Sequence, residues 1–393
     1  MTQTLKTDGK VLFALILVHF IGDFYSAFVT PLLPAFADRF SLTLAQVGLV
    51  AGLNRFMAFI VQPSVGYIAD HYRTRVFVLG GPFMAILFIS LVGIAPSYLV
   101  LLLFVAFGSI GSSMFHPTCA GMVSTYAGRN FGFSMSLFSM GGALSFGLGP
   151  VFITYFVRAY GLSASPFTMI LGMSVMIYLY LNIPLPEGEG LGSLGFVGSM
   201  KEALGTVWKP IVLIWTIMVL RAFTGQSFMT FIPVLYVKEG YSLVSAGVMI
   251  SLFTIAGAMS GLLAGHLSDR VGYKPIFLAT HGLATPSLYV LLFAPGNWIY
   301  VNAFVAGFLV MATLPLGVAM AQELAPRSKS MVSSLMMGLA FGTGGLMTPL
   351  TGKLADIFSI RMVLAFLAMI PLLTTVLIAQ LPERGPRHRL DLR

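Results

Sequence analysis

Six ionisable side chains stand inside long apolar stretches of this chain: His19, Asp23, Arg55, His116, Arg221 and His281. Glu323 lies near the end of another such stretch. A charge held away from water is costly unless it is paired or solvated, so these positions are where chemistry is to be sought. His19 and Asp23 are spaced i,i+4 and share one helix face. A carboxylate beside an imidazole can take up and release a proton, and a guanidinium competes with that proton. An Asp23–Arg55 pair is therefore either a proton-dependent switch or a permanent structural pair.

His116 sits in Phe115-His116-Pro117. Pro117 has no N–H for the carbonyl of Ser113, so the triplet is expected to interrupt its helix and leave a polar backbone atom available. An imidazole ordinarily titrates closest to neutrality, which suits His116 to relaying a proton or meeting an anion; the plainer reading is a hydrogen-bonded core histidine. Arg221, with Arg55 and His116, would make a cavity positive and suited to a phosphonate or carboxylate; its plainer reading is snorkelling or a structural pair. His281 is expected to be structural. His19, Asp23 and His116 would also fit a two-histidine, one-carboxylate metal site, but three ligands scattered over two helices are weak support for one. The site expected is proton coupling at Asp23, His116 and His19, and substrate binding at Arg55, Arg221 and His116, with no metal and no cofactor.

The elements that hold these residues follow from composition. Of 393 residues, 57% are hydrophobic and 9% charged, against roughly 25% charged in soluble domains. That charge cannot cover the surface of a soluble chain of this length, so the protein is read as polytopic and membrane-embedded. Breaking the chain at charges and turn residues predicts twelve spans: 11–35, 44–69, 76–95, 98–124, 131–157, 165–185, 210–236, 243–268, 275–294, 298–322, 330–354 and 361–381. The first is too long and too proline-interrupted for a cleaved signal peptide. With both termini placed on the cytoplasmic side, fifteen of 22 Lys and Arg fall in inner segments and five in outer ones, a positive-inside bias. The formal +9 thus records topology, and no nucleic-acid partner is expected. A single cysteine, Cys119, excludes a disulfide framework.

The two halves repeat at one offset. Gly66-x-x-x-Asp70 recurs as Gly265-x-x-x-Asp269, and the same 199-residue step takes Gly48 to Gly247, Pro34 to Pro233 and Pro150 to Pro349. The expected organisation is a six-helix half over 1–185, a cytoplasmic linker over 186–209 and a second six-helix half over 210–393. The loops after spans 2 and 8 read Gly66-Tyr67-Ile68-Ala69-Asp70-His71-Tyr72-Arg73 and Gly265-His266-Leu267-Ser268-Asp269-Arg270-Val271-Gly272. Their glycines are expected to allow close helix approach, and their Asp and basic residues to pair on the cytoplasmic side. Span 5 carries Gly141-Gly142 and Gly147-Leu148-Gly149-Pro150, a flat face for packing; span 11 carries Gly342-Thr343-Gly344-Gly345 before Pro349.

These motifs carry a resemblance. The two loops resemble the major facilitator signature G-x-x-x-D-R/K-x-G-R/K-R/K, the second copy well and the first with His71 for the basic residue and Arg73 for the glycine. Gln62-Pro63-x-Val65-Gly66-Tyr67, Gly111-Ser112-Ser113-x-Phe115-His116-Pro117, Ala321-Gln322-Glu323-Leu324-x-Pro326, Met331-Val332-Ser333, Ala340-Phe341-Gly342-x-Gly344-Gly345-Leu346 and Ala355-Asp356-x-x-Ser359-Ile360 resemble the fosmidomycin-resistance family over nearly the whole chain. The resemblance implies an all-α integral membrane protein of twelve transmembrane helices in two pseudo-symmetric halves. It implies a monomeric transporter in the bacterial inner membrane that exports small, often anionic compounds against entering protons. Gly66, Asp70, Arg73, Gly265, Asp269 and Arg270 would latch its conformational loops, and Gly141, Gly147, Gly149 and Pro150 match an antiporter-like helix. Arg55 and Gly22 are not parts of that family's pattern, and the Arg that many drug–proton antiporters carry in span 4 is absent, with His116 in its region. The competing expectations are proton-coupled uptake of a small organic anion and, more weakly, metal binding or transport. An enzyme is not expected: there is no nucleophile elbow, no HExxH and no P-loop.

Overall fold

The computed structural model describes residues 7–71, 75–127, 131–185, 205–293, 296, 298–325, 332 and 335–381. Among them the regular structure is helical, as a chain with no water to satisfy its backbone requires. The helices are α1 (Gly9–Ser26), α2 (Val29–Phe40), α3 (Leu44–His71), α4 (Gly81–Leu91), α5 (Tyr98–Tyr126), α6 (Phe131–Tyr160) and α7 (Thr168–Asn182). There follow α8 (Trp208–Lys238), α9 (Leu243–Val271), α10 (Tyr273–Phe293), α11 (Trp298–Met311), α12 (Leu314–Leu324), α13 (Ala340–Leu346), α14 (Thr348–Ile357), α15 (Ile360–Leu367) and α16 (Ile370–Ala379). Several pairs, such as α1 with α2 and α11 with α12, make one span each, and eleven spans among the described residues are long and apolar enough to cross a membrane. The span expected at 330–354 is present in pieces: a π-helical turn at Leu335–Leu339, then α13 and α14. Glycines weaken its middle, and Pro349 lacks the N–H that would join its two parts.

The first span runs Gly9–Phe40, longer than the sequence suggests. Asp8 starts it, its carboxylate accepting from the amides of Lys10 and Val11 at 3.1 Å. It yields at Ala27 and Phe28, because Pro31 cannot donate to the carbonyl of Ala27. At its far end Arg39 donates to the carbonyls of Gly93 and, at 3.0 Å, Ala95. A second difference concerns Pro117, which does not interrupt its span: α5 continues unbroken to Tyr126. The turn below it is held by serines, Ser113 Oγ donating to Ser109 O at 2.8 Å and Ser109 Oγ to Val105 O at 2.6 Å.

The chain forms two compact units, Met1–Leu42 with Val50–Leu191 and Gly240–Gly247, and Thr43–Leu49 with Gly192–Glu239 and Val248–Arg393. Within the first, α4 meets α5 where a Cβ on Gly111 would lie 2.5 Å from Gly81 O and 2.6 Å from Ala85 N. Its α1 packs chiefly on α6, α5 and α4. Within the second, α8 packs on α13, where a Cβ on Gly344 would lie 2.6 Å from Ala222 Cβ. Its core gathers Ile211, Ile214, Met218, Phe277, Leu316 and Met336. The same unit takes in residues 43–49, where Asp356 caps the start of α3 by accepting from Leu44 N at 2.8 Å and Ala45 N at 3.0 Å. In lipid, helices associate through close van der Waals contact, so these glycine crossings carry the packing.

Gly111→Val places its side chain in the backbone of α4. Overpacking of this kind costs about 1–3 kcal/mol. The thermal midpoint in detergent should fall by several degrees, read by fluorescence-detected size exclusion, while valine at Gly121, which faces open space, should leave it within error.

Candidate functional site

The first unit brings three of the predicted residues together. His19 and Asp23 lie one turn apart on α1, and His116 arrives from α5. His19 Nε2 is 3.2 Å from Asp23 Oδ2, and His116 Nε2 is 3.3 Å from Asp23 Oδ1. The Asp23 side chain is only 3% exposed, against 12% for His19 and 27% for His116. Ser112 Oγ adds a long bond to Asp23 Oδ1 at 3.4 Å. Two aromatic rings close the niche: Phe115, its centroid 5.9 Å from that of His19, and Phe138, at 4.1 Å.

Local sequence explains why the helices meet here. A Cβ on Gly22 would fall 2.3 Å from Phe115 Cε1, so only glycine lets α5 come this near to α1. The neighbouring helix α6 supplies a carbonyl, with His19 Nδ1 2.8 Å from Phe138 O. A carbonyl only accepts, so the Nδ1 atom carries the hydrogen. His19 Nε2 then faces a carboxylate oxygen across 3.2 Å, and one proton must lie between them for the contact to be attractive. The trio thus holds a buried carboxylate, two imidazoles and a shared proton. Its three ligand atoms lie within 4.8 Å of one another, a donor set that a transition metal would also accept.

Arg55 sits on α3, partly exposed, within reach of the field of Asp23. One residue before it, Asn54 Nδ2 donates to Ser26 Oγ at 3.2 Å, which ties α3 to the end of α1. Asp23 has both imidazoles at contact distance: His19 from the i,i+4 spacing on α1, and His116 from the crossing of α5.

The remaining predicted residues belong to other places. Arg221 lies in the second unit, 4% exposed, with Nη1 3.4 Å from Val310 O. His281 is its neighbour, also 4% exposed, with Nδ1 3.0 Å from Phe277 O. With Thr224, Ala284, Leu309, Val310 and Pro371 they line a cavity of about 10 Å³, room for one water-sized molecule. His281, expected to be structural, stands beside the buried Arg221. Gly66 and Asp70 fall in the last turns of α3, and Arg73 lies outside the described residues. Among the described residues, none comes within 4 Å of where a Cβ on Gly265 would lie. Asp269 lies in the last turn of α9, and Arg270 is exposed. On α6, Gly141, Gly142, Gly147, Gly149 and Pro150 are all buried, and the helix runs through Pro150 to Tyr160.

The sequence profile of the Major Facilitator Superfamily matches residues 15–327 and 241–392. The chain belongs to the major facilitator superfamily. Among facilitators, the fosmidomycin resistance protein of Escherichia coli is 26% identical over 99% of this chain and 96% of its own. The multidrug resistance protein MdtG of Citrobacter koseri is 25% identical over 73% of each. Solved transporter structures share the fold: the nucleoside transporter NupG superposes with a TM-score of 0.77 at 12% identity, covering 95% of this chain and 100% of that one. A bacterial homologue of the human lysosomal transporter Spinster, inward-facing and occupied, gives 0.71 at 19% identity, covering 94% of each. The chain is therefore a multi-pass membrane transporter and not an enzyme. What sequence reading missed in this facilitator is α6: neither Phe138, acting through its backbone, nor Gly142 announces a link to His19, and the adjacent Gly141-Gly142 pair was the available signal.

Asp23→Asn retains an acceptor and a donor for the two imidazoles, whereas Asp23→Leu leaves both Nε2 atoms without a partner. Each unsatisfied buried group costs about 1–3 kcal/mol. Thermal midpoints should therefore fall in the order wild type, Asn, Leu, with several degrees between the two variants.

Proposed function

We propose that this facilitator is a proton-driven exporter in the bacterial inner membrane. Small anionic or drug-like compounds leave as protons enter, by alternating access between two six-helix halves, in a monomer with both termini in the cytoplasm. The observation that carries the reading is the buried carboxylate of Asp23 between two imidazoles, with one proton required on its contact with His19. A site that must hold a proton to be attractive changes its charge when that proton leaves, and a charge change inside a low-dielectric niche is what can bias two conformations. The resistance named for the Escherichia coli and Citrobacter relatives, and the glycine-rich run of α6 that leads to Pro150, support export.

Substrate is assigned to the more exposed side of the trio. His116 shows the greatest side-chain exposure of the three, and Arg55 offers a guanidinium suited to bidentate contact with a phosphonate or carboxylate. Arg221 is enclosed by α11 and His281 and joins the substrate only when that packing opens. The loop residues Gly66, Asp70, Arg73, Gly265, Asp269 and Arg270 serve as the conformational latch.

One observation favours a second reading. Arg55 lies within the field of Asp23, so a proton on Asp23 and an anion on Arg55 help each other to bind. That is the charge logic of symport, in which anion and proton enter together.

Proteoliposomes separate these readings. With labelled fosmidomycin outside, an acidic lumen should drive uptake by antiport, and an acidic exterior by symport. Asp23→Asn should lower the gradient-driven flux about tenfold or more. Gradient-driven flux that is unchanged in this variant removes Asp23 from the mechanism.

A further inference from the structure

Helix α6 touches His19 in three ways within about one turn. Phe138 O takes the Nδ1 hydrogen at 2.8 Å. The Phe138 ring lies 4.1 Å from the imidazole by centroid, tilted by 33°. One turn on, a Cβ at Gly142 would fall 2.4 Å from His19 Nε2 and 2.7 Å from Cε1. The imidazole therefore occupies the notch that the missing side chain leaves, and alanine at this position cannot coexist with His19 in its present place. The Phe138 carbonyl has two lone pairs, one for the Gly142 amide of its own helix and one for His19. Acceptor and notch are thus one local device.

The device selects an atom. With Nδ1 committed to Phe138, only Nε2 of His19 can gain or lose a proton, and it faces Asp23 Oδ2. Among the described residues, the elements around α1 bring few ionisable groups to that axis. α5 brings His116 to the other carboxylate oxygen, and α3 brings Arg55. α4 has no titratable residue, and α7 offers only Tyr178 and Tyr180. α6 carries Tyr155, Arg158 and Tyr160, all in its last two turns at the far end.

We propose that the coupling proton rides on the His19 Nε2–Asp23 Oδ2 contact, and that Gly142 and the Phe138 carbonyl are the positioning elements that seat His19 for it. This rests on the proton-coupling reading and adds two things to it. It distinguishes His19 from His116 as the imidazole that shares the proton, and it gives the glycine pair of α6 a task other than packing. Movement of α6 along α1 would unseat His19, so protonation and the position of α6 are linked through this notch.

The alternative is that Gly142 serves helix packing alone, and Gly141 provides the comparison. A Cβ there would meet Ile16 Cγ2 and Ile16 O at 3.1 Å, on the same helix crossing but away from the trio. The test is a double-mutant cycle of Gly142→Ala with His19→Ala, read by thermal midpoint, with Gly141→Ala run in both backgrounds. Gly142→Ala should lower the midpoint by several degrees when His19 is present and by less than half as much when it is absent. Gly141→Ala should cost the same in both backgrounds. If Gly142→Ala fails to fold while the double variant folds, the seat is supported; if both fail, or the two costs are equal, the seat is overturned.

The proton assignment has its own readout. In proteoliposomes Gly142→Ala should move the pH of half-maximal flux by about one unit, and Gly141→Ala should leave that pH in place. His19→Gln, which keeps a hydrogen-bonding atom but cannot titrate, should lose gradient-driven flux about tenfold. His116→Gln should keep the pH dependence and raise the substrate KM. A His19→Gln variant that retains full gradient-driven flux overturns the assignment. If wild type shows no gradient-driven flux, proton coupling itself fails, while the thermal cycle still decides the seat.

Discussion

A carboxylate 3% exposed inside a membrane domain dominates the first unit. Asp23 cannot stand there alone: the desolvation of a lone charge exceeds anything packing returns. It needs positive or proton-donating partners at contact distance, held by geometry rather than by chance. Two imidazoles and a serine hydroxyl meet that need, one imidazole from its own helix and the others from α5. His19 is useful to Asp23 only in one orientation, and the Phe138 carbonyl fixes that orientation.

Helix contact in lipid gains nothing from expelling water, so α1, α5 and α6 approach through missing side chains. Gly22 admits the Phe115 ring, Gly142 admits the His19 ring, and Gly149 lets α6 lie against the Phe24 carbonyl and Ala27. Each glycine has a different neighbour to accommodate. Small-residue stripes are often read as interchangeable packing surface, yet here one of them is shaped around a histidine.

The second unit places Arg221 one residue before the repeat's match to Asp23. The 199-residue step carries Gly22 to Arg221, next to Ala222 where the step carries Asp23. A guanidinium thus stands where the first unit has its glycine, and it is handled by different means: burial against the Val310 carbonyl beside His281 and a water-sized cavity. The two units thus differ in the chemistry carried on the first helix of each.

Much of this was legible in the sequence for a physical reason. Apolar runs of span length, charge confined to their edges and a fixed repeat offset are properties of the chain itself, because the bilayer imposes length and sidedness directly on sequence. His19 and Asp23 could be paired because i,i+4 spacing fixes neighbours within one helix. What the tertiary structure alone decided is which side chains from distant helices complete that pair. The choice of His116 as a contact partner of Asp23, the role of a backbone carbonyl at Phe138 and the notch at Gly142 depend on crossing geometry and rotation of helices about their axes. Neither is written in periodicity, since a hydrophobic span facing lipid on one side and protein on the other is apolar all round, and a backbone atom leaves no residue type to read.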